Sequence, residues 1–262
     1  MRRWPRPVIA ALDVVNRRGK AVGVRLVRYT GKSPHFIHPK HLVETPGHDW
    51  YAAHLDAGDI VLDVGCANGA HTLKAAAQVK RIVGMDYDVQ QLRVAAATAR
   101  RRGFGNLSLF AWDLTRPFPF GDDTFDAVLF LDVIEHLEAR QPVLREIRRV
   151  LRPGGRLLVS GPNRQSRWRE RLRGAGLFAY QDGDHKIEYT SAEFLSELET
   201  AGFVVDGPLG PVVYDTPWAG LIDAVGGLSL TLYARLARWK RERALAEPRE
   251  STGFRAIARK PA

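Results

Sequence analysis

From Ile60 onward the chain alternates short runs of apolar, β-branched residues with stretches of helical period, and this alternation constrains the fold more than any other feature. The first run, Ile60-Val61-Leu62-Asp63-Val64, is apolar at nearly every position, as a strand covered on both faces requires. A helical stretch over 69–79 follows, then a second strand, Arg81-Ile82-Val83-Gly84-Met85-Asp86, and a helix over 89–102 that Gly103 caps in the left-handed conformation. Further strands are read at 107–112, 125–131 and 156–160, with a helix at 138–151 ahead of Pro153-Gly154-Gly155. Phe194, Leu195 and Leu198 mark a helix over 191–201, N-capped by Thr190 or Ser191 and stopped by Gly202. Val204-Val205 and residues 253–258 bring the strand candidates to seven. The expectation is an α/β fold with a mostly parallel sheet, carrying an insertion at about 209–250 that the sheet does not need.

The chemistry gathers where these strands end. Asp63-Val64-Gly65-Cys66-Ala67-Asn68-Gly69 closes the first strand and opens a helix, where the chain turns sharply and a ligand can approach its backbone. Its Gly-x-x-x-Gly spacing differs from the Gly-x-Gly-x-x-Gly that seats a pyrophosphate on a helix N-terminus, which makes a dinucleotide the weaker choice. Asp86 closes the second strand 23 residues after Asp63, about where a carboxylate accepts from ribose hydroxyls. Asp113 and Asp132 close the third and fourth strands.

Taken jointly, VLDVGCANG, GMDYD, AWDL, FLDVIEHL and LRPGGRLLVSGPN resemble the successive motifs of class I S-adenosylmethionine-dependent methyltransferases, nearest the bacterial small-molecule branch with its ubiquinone-biosynthesis-type enzymes. The resemblance covers about 45–206 and 253–260. It implies a Rossmann-like, seven-stranded sheet with helices on both faces, strand 7 antiparallel and a helical insertion between strands 6 and 7. On that footing residues 1–44 are a basic N-terminal extension, and 45–262 form the methyltransferase domain.

Position by position, the resemblance implies that Gly65 and Gly69 line the methionine and ribose, with Asp63 near the methionine amino group and Cys66 in the same turn. Asp86 then holds the ribose hydroxyls and Tyr87 lies against the adenine. Asp113 accepts from the adenine amino group, the Leu114 backbone donates to the ring, and Leu131 closes the pocket at the fourth strand. Where the family has a second glycine this chain has Ala67, which puts a Cβ beside the ligand path and is expected to be tolerated.

A methyl on a sulfonium is already activated, so the protein's task is to align a nucleophile and exclude water. Oxygen acceptors of high pKa gain from a base, and two histidines are placed to supply one. They are His136, after the fourth strand, and His185 in Gln181-Asp182-Gly183-Asp184-His185, where the two aspartates can orient the ring. His136 matches a position common in the family, where it also serves to buttress the helix. His35, His38, His41, His48 and His54 lie close in sequence, but no acid stands at metal-ligand spacing, so a surface or substrate-entry role is expected and no metal is assigned.

The Asn/Asp-Pro-Pro-aromatic motif of base-amine methylation is absent after the fourth strand, which reads Leu131-Asp132-Val133-Ile134, and the single Cys66 sits in the glycine turn. These features favour a hydroxyl or carbon nucleophile of a small molecule, glycan or lipid-linked intermediate. A nucleic-acid methyltransferase and a non-catalytic Rossmann-like binding protein are the alternatives.

Charge adds a partner class. Residues 1–40 hold ten Lys or Arg against Asp13, 164–174 hold five Arg against Glu170, and 235–262 hold nine bases against three acids, so a mildly acidic middle is flanked by basic segments. Either a solvated basic surface or a polyanionic partner, an anionic membrane among them, accounts for this. In the insertion Leu221, Val225, Leu228, Leu232, Leu236 and Trp239 recur at helical spacing with Arg and Lys toward the end, which fits a lid or a helix at a membrane interface. With one cysteine and no apolar run of the roughly 20 residues that span a bilayer, the expected location is the cytoplasm, peripheral to the inner face of the membrane if that helix binds it.

Overall fold

The strand and helix runs of the sequence are realised in the computed structural model, which describes residues 4–33, 36, 38–43 and 49–262. Of the histidine cluster, His35, His48 and the side chain of His41 lie outside these residues. The chain forms two compact units, one of residues 49–162, 184–209 and 254–262, the other of 1–48, 163–183 and 210–253.

The first unit is built on a sheet of β1 (Ile60–Val64), β2 (Arg81–Asp86), β3 (Leu107–Ala111), β4 (Phe125–Leu131), β5 (Leu151–Pro162), β6 (Val204–Val205) and β8 (Gly253–Arg259). Their order is β3-β2-β1-β4-β5-β8-β6. The first five run parallel, and β6 pairs antiparallel with β8. Alternation along β1 shows why its sequence is apolar throughout. Val61 packs with Ala75, Ala76 and Val79 on one side, while Leu62 and Val64 join Leu144, Ile147 and Phe194 on the other. Each such buried side chain contributes about 1.5–3 kcal/mol. The helices that cover the faces are α2 (Ala70–Ala76), α3 (Val89–Arg102), α4 (Arg140–Val150) and α6 (Ser191–Thr200).

Helix ends follow the expected chemistry. Gly103 closes α3 at φ +72°, and Thr190 and Glu193 form a reciprocal capping box at the start of α6. One segment differs: Pro153-Gly154-Gly155, expected as a turn, lies inside β5. The pairing with β4 jumps from Phe125–Leu151 to Ala127–Arg156, so the extra residues form a bulge in which Gly154 takes φ +73°.

In the second unit the basic N-terminal extension is largely one helix, α1 (Arg6–Tyr29), which charge alone did not reveal. The unit also holds α5 (Arg167–Gly174), the two-residue strand β7 (Gly210–Pro211), α7 (Ala219–Leu228) and α8 (Leu230–Ala246). The helical run of the insertion is thus two helices, divided at Ser229, whose hydroxyl caps α8 by accepting from the Leu232 N–H. The glycines near this break have another task. A Cβ on Gly19 would strike the Gly220 backbone, and one on Gly227 would strike Leu26 and Gly23, so bare backbone lets α1 and α7 cross in contact. Buried Asp215 ties residues 163–183 to the insertion, accepting from Ser166 Oγ at 2.5 Å and Arg169 Nε at 3.0 Å.

Candidate functional site

Parallel pairing brings the carboxyl ends of β3, β2, β1 and β4 side by side, and the candidate cofactor residues stand on them in that order. At the end of β1 the backbone is left-handed at alternate positions: Gly65 at φ +76°, Ala67 at +44° and Gly69 at +74°. Gly65 and Cys66 both donate their N–H to the Met85 carbonyl, at 2.8 and 3.1 Å, which pins the turn to β2. Glycine at 65 answers both to its φ and to packing, because a Cβ there would press on Val133 at 2.6 Å. Ala67 takes a conformation that costs a residue with a Cβ roughly 1–2 kcal/mol.

Asp86 stabilises that strained residue. Its Oδ2 accepts from the Ala67 N–H at 2.9 Å and its Oδ1 from the Asp88 N–H at 2.8 Å. A carboxylate has about four acceptor sites, so each oxygen keeps capacity for a diol. The Asp86 carbonyl in turn accepts from the Trp112 N–H at 2.9 Å, which fixes the start of the loop carrying Asp113 and Leu114. Asp113 is exposed. Its Oδ1 accepts from Thr115 N and Oγ1 at 2.9 and 2.8 Å, and these bonds hold its carboxyl below the usual range. Leu114 packs partly buried on the main core, and Tyr87 is 80% exposed.

Asp63 lies buried inside β1. Thr72 Oγ1 donates to its Oδ2 at 2.6 Å, yet burial dominates, aided by the charge of Asp86, and pushes the carboxyl up to about 7. Cys66 is buried as well, and burial with two nearby carboxylates drives its thiol far up, so it is an inert side chain. Leu131 is buried at the end of β4. The next residue, Asp132, is left-handed at φ +55° and accepts from Ser160 Oγ at 2.6 Å.

Beyond β4 the chain gathers a second cluster. The Glu135 carbonyl accepts from the Lys186 N–H at 2.7 Å, which brings His185 beside His136 with ring centroids 5.0 Å apart. His185 Nδ1 lies 2.9 Å from Glu188 Oε1, and its Nε2 lies 4.0 Å from Glu135 Oε1. Glu188 therefore orients the ring, a partner that the loop sequence around Asp182 and Asp184 did not announce. Glu135 is buried, with no hydrogen-bond partner on Oε2 among the described residues, and burial, with Asp132 nearby, pushes its carboxyl up to about 8. Donor atoms of Glu135, His136 and His185 lie within 4.8 Å of one another, a set of the kind that holds a divalent ion, although the sequence reading assigned no metal.

Glu135 and Glu188 were missed in the sequence. The available signals were a glutamate beside His136 in Val133-Ile134-Glu135-His136 and one three residues beyond His185. In the histidine-rich segment, His38 Nε2 pairs with Asp223 at 3.1 Å and His54 lies edge-on to Trp50 at 6.1 Å.

Residues 62–159 match the family described as a methyltransferase domain. A probable S-adenosylmethionine-dependent methyltransferase of Mycolicibacterium smegmatis is 37% identical over 158 residues, 60% of this chain and 57% of that protein. The 27-O-demethylrifamycin SV methyltransferase of Amycolatopsis mediterranei is 30% identical over 184 residues, 66% of this chain and 65% of that protein. The chain therefore spans under two thirds of the length of both. The uncharacterized protein YafE of Escherichia coli K12 is 31% identical over 147 residues, 54% of this chain and 68% of that protein. With the strand order and the glycine turn at its centre, the match places this chain among the class I S-adenosylmethionine-dependent methyltransferases, of the type 11 kind.

Proposed function

We propose that the chain transfers the methyl group of S-adenosylmethionine to a hydroxyl or carbon nucleophile of a small molecule, glycan or lipid-linked intermediate. The observation that carries this reading is the Asp86 carboxylate, which shapes the turn at Ala67 while keeping acceptor capacity for a ribose diol. A turn with three left-handed residues, flanked by Asp63 on one side and Asp113 on the other, fits an adenosine joined to an amino acid. S-adenosylmethionine supplies a methyl group already activated on a sulfonium.

The residues divide the remaining work. Asp63 faces the methionine ammonium, and Gly65, Cys66 and Gly69 form the backbone cradle. Asp86 holds the ribose hydroxyls, Tyr87 covers the adenine, and Asp113 and Leu114 read its edge, with Leu131 at the floor beside β4. On the acceptor side, His185 takes the proton of an acceptor hydroxyl at Nε2 while Glu188 holds Nδ1. His136 packs against the His185 ring and limits its swing. An O-methyl product is in keeping with the rifamycin relative, which is named for a 27-O-demethyl acceptor. The insertion exposes Leu221, Leu228, Leu232 and Trp239, which suits contact with an anionic membrane at the inner face of a cytoplasm, where a lipid-linked acceptor lies.

Thermal shift with S-adenosylmethionine, S-adenosylhomocysteine and NADH tests the cofactor, and release of S-adenosylhomocysteine with candidate acceptors tests transfer. Stabilisation by the two adenosyl ligands and none by NADH is expected. Stabilisation by NADH alone would sink the reading.

A further inference from the structure

Helix α1 has two unlike faces. Ile9, Gly19, Gly23 and Val27 are buried, and the two glycines press on the backbone of α7. On another face Val8, Val15, Val22 and Tyr29 recur every seven residues, a spacing that drifts only about 20° per repeat in a straight helix. They are 39–77% exposed. Ala11, Arg18 and Arg25 take the intervening positions, all exposed. Phe36 extends the stripe, edge-on to Tyr29 with centroids 6.4 Å apart. Beside it, a cavity of about 550 Å³ is lined by Ala21, Val24 and Phe36 and rimmed by Arg17, Lys20 and Arg25.

The charge around this helix has nearly one sign, and Arg18 and Arg25 border the stripe itself. Residues 4–33 carry seven Lys or Arg against Asp13, whose carboxylate is already bound by Arg17 at 2.8 Å. At 24 residues the helix is about 36 Å long, yet no helix among the described residues is long and apolar enough to cross a membrane. A valine stripe bordered by arginines is the pattern of a helix lying in the plane of an interface. Other occupants fit less well. A parallel pairing of two copies along the stripe would set Arg18 and Arg25 against their own images. A nucleic acid would satisfy the arginines and leave the valines in water.

We propose that this exposed face of α1 docks on an anionic lipid bilayer, with Val8, Val15, Val22 and Tyr29 at the acyl boundary and Arg18 and Arg25 at the lipid phosphates. The inference does not rest on methyl transfer, and its test involves no cofactor.

The test is co-sedimentation of the full chain with vesicles of phosphatidylcholine alone and of phosphatidylcholine with an equal part of phosphatidylglycerol. Binding is expected with the anionic vesicles, falling as added salt shortens the Debye length from about 10 Å at 0.1 M to about 3 Å at 1 M. Arg18→Gln with Arg25→Gln should weaken partitioning on the order of fivefold per residue, about 25-fold together. Val15→Asp with Val22→Asp should weaken it on the order of 100-fold, leaving at most what the insertion contributes, while the melting temperature stays that of the wild type, because both valines lie off the α7 contact. Equal sedimentation with the two vesicle types, or with neither, overturns the proposal. So does anionic-vesicle binding that the aspartate pair leaves unchanged, which would assign the contact to the insertion, and retention of duplex DNA through that pair would assign the basic face to a nucleic acid instead.

Discussion

Asp63 gives the sharpest handle on the site because one buried carboxyl links folding, pH and cofactor. Its ordinary pKa is 3.8, and in the folded chain burial lifts it to about 7. Between about pH 4 and pH 7 the unfolded chain has released this proton while the folded chain still holds it. Folding then takes up a proton, so stability falls as pH rises across that window and levels off above about 7. Each fully shifted group contributes a slope of at most about 1.4 kcal/mol per pH unit, a large share of the usual 5–15 kcal/mol. Glu135, pushed up to about 8, adds a second contribution of the same sign that extends one unit further. If Asp63 faces the ligand ammonium, binding favours its ionised form, and S-adenosylmethionine affinity rises by up to tenfold per pH unit as pH approaches 7. Urea unfolding across this range, with calorimetry in buffers of different ionisation enthalpy, reads both effects. Asp63→Asn should lessen the stability slope, since Thr72 Oγ1 can still donate to the amide oxygen, and should abolish proton release on binding. Adding Glu135→Gln should flatten most of what remains. A wild-type slope and wild-type proton release in Asp63→Asn would refute this account.

Four further outcomes follow from the geometry. Asp86→Ala should cut S-adenosylmethionine affinity roughly 10- to 150-fold and cost about 1–3 kcal/mol of stability, because the Ala67 and Asp88 N–H groups lose their acceptor; titration calorimetry and a melting curve measure the two separately. Asp113→Ala should weaken binding with no change in melting temperature, its carboxylate being exposed; affinity unchanged in both aspartate variants would contradict the assignment. His185→Gln should leave cofactor affinity alone and lower kcat by about 10²–10⁴-fold on a hydroxyl acceptor, with Glu188→Gln lowering it less; near-normal turnover in His185→Gln would show that another group takes the proton. Gly220→Val should destabilise by about 1–3 kcal/mol or more, since a Cβ there meets the Asn16 carbonyl, and a wild-type melting temperature would mean that α1 and α7 do not cross as described.

The sheet could be read in advance because its strands carry their own signal. A run such as Ile60–Val64 or Phe125–Leu131 is apolar since both faces are covered, and local turn chemistry at Gly103 and Thr190 marks where helices stop and start. That Asp63, Gly65, Asp86 and Asp113 come to one edge of the sheet is legible for a related reason: parallel topology obliges consecutive strand ends to meet. What local pattern cannot show is a pairing between distant segments. Residues 6–29 read chiefly as a basic segment, and α1 gains a buried face where α7 presents bare backbone to Gly19 and Gly23. Glu188 escaped notice for the same reason, its role being set by a loop that folds His185 against Glu135.

The α1–α7 crossing also dictates an order of events during synthesis. Asn16 caps the Gly220 N–H across 204 positions, so α1 leaves the ribosome long before the segment it packs against. At translation rates of about 5–20 residues per second that wait is roughly 10–40 s. For its duration the glycine face of α1 lacks α7, and the valine stripe and arginines of its other face stand open to the surroundings of the nascent chain. A lipid surface close to the ribosome would thus engage this helix before α7 exists, whereas a lesion in α7 would show itself as an α1 that never packs down and is trimmed by proteases.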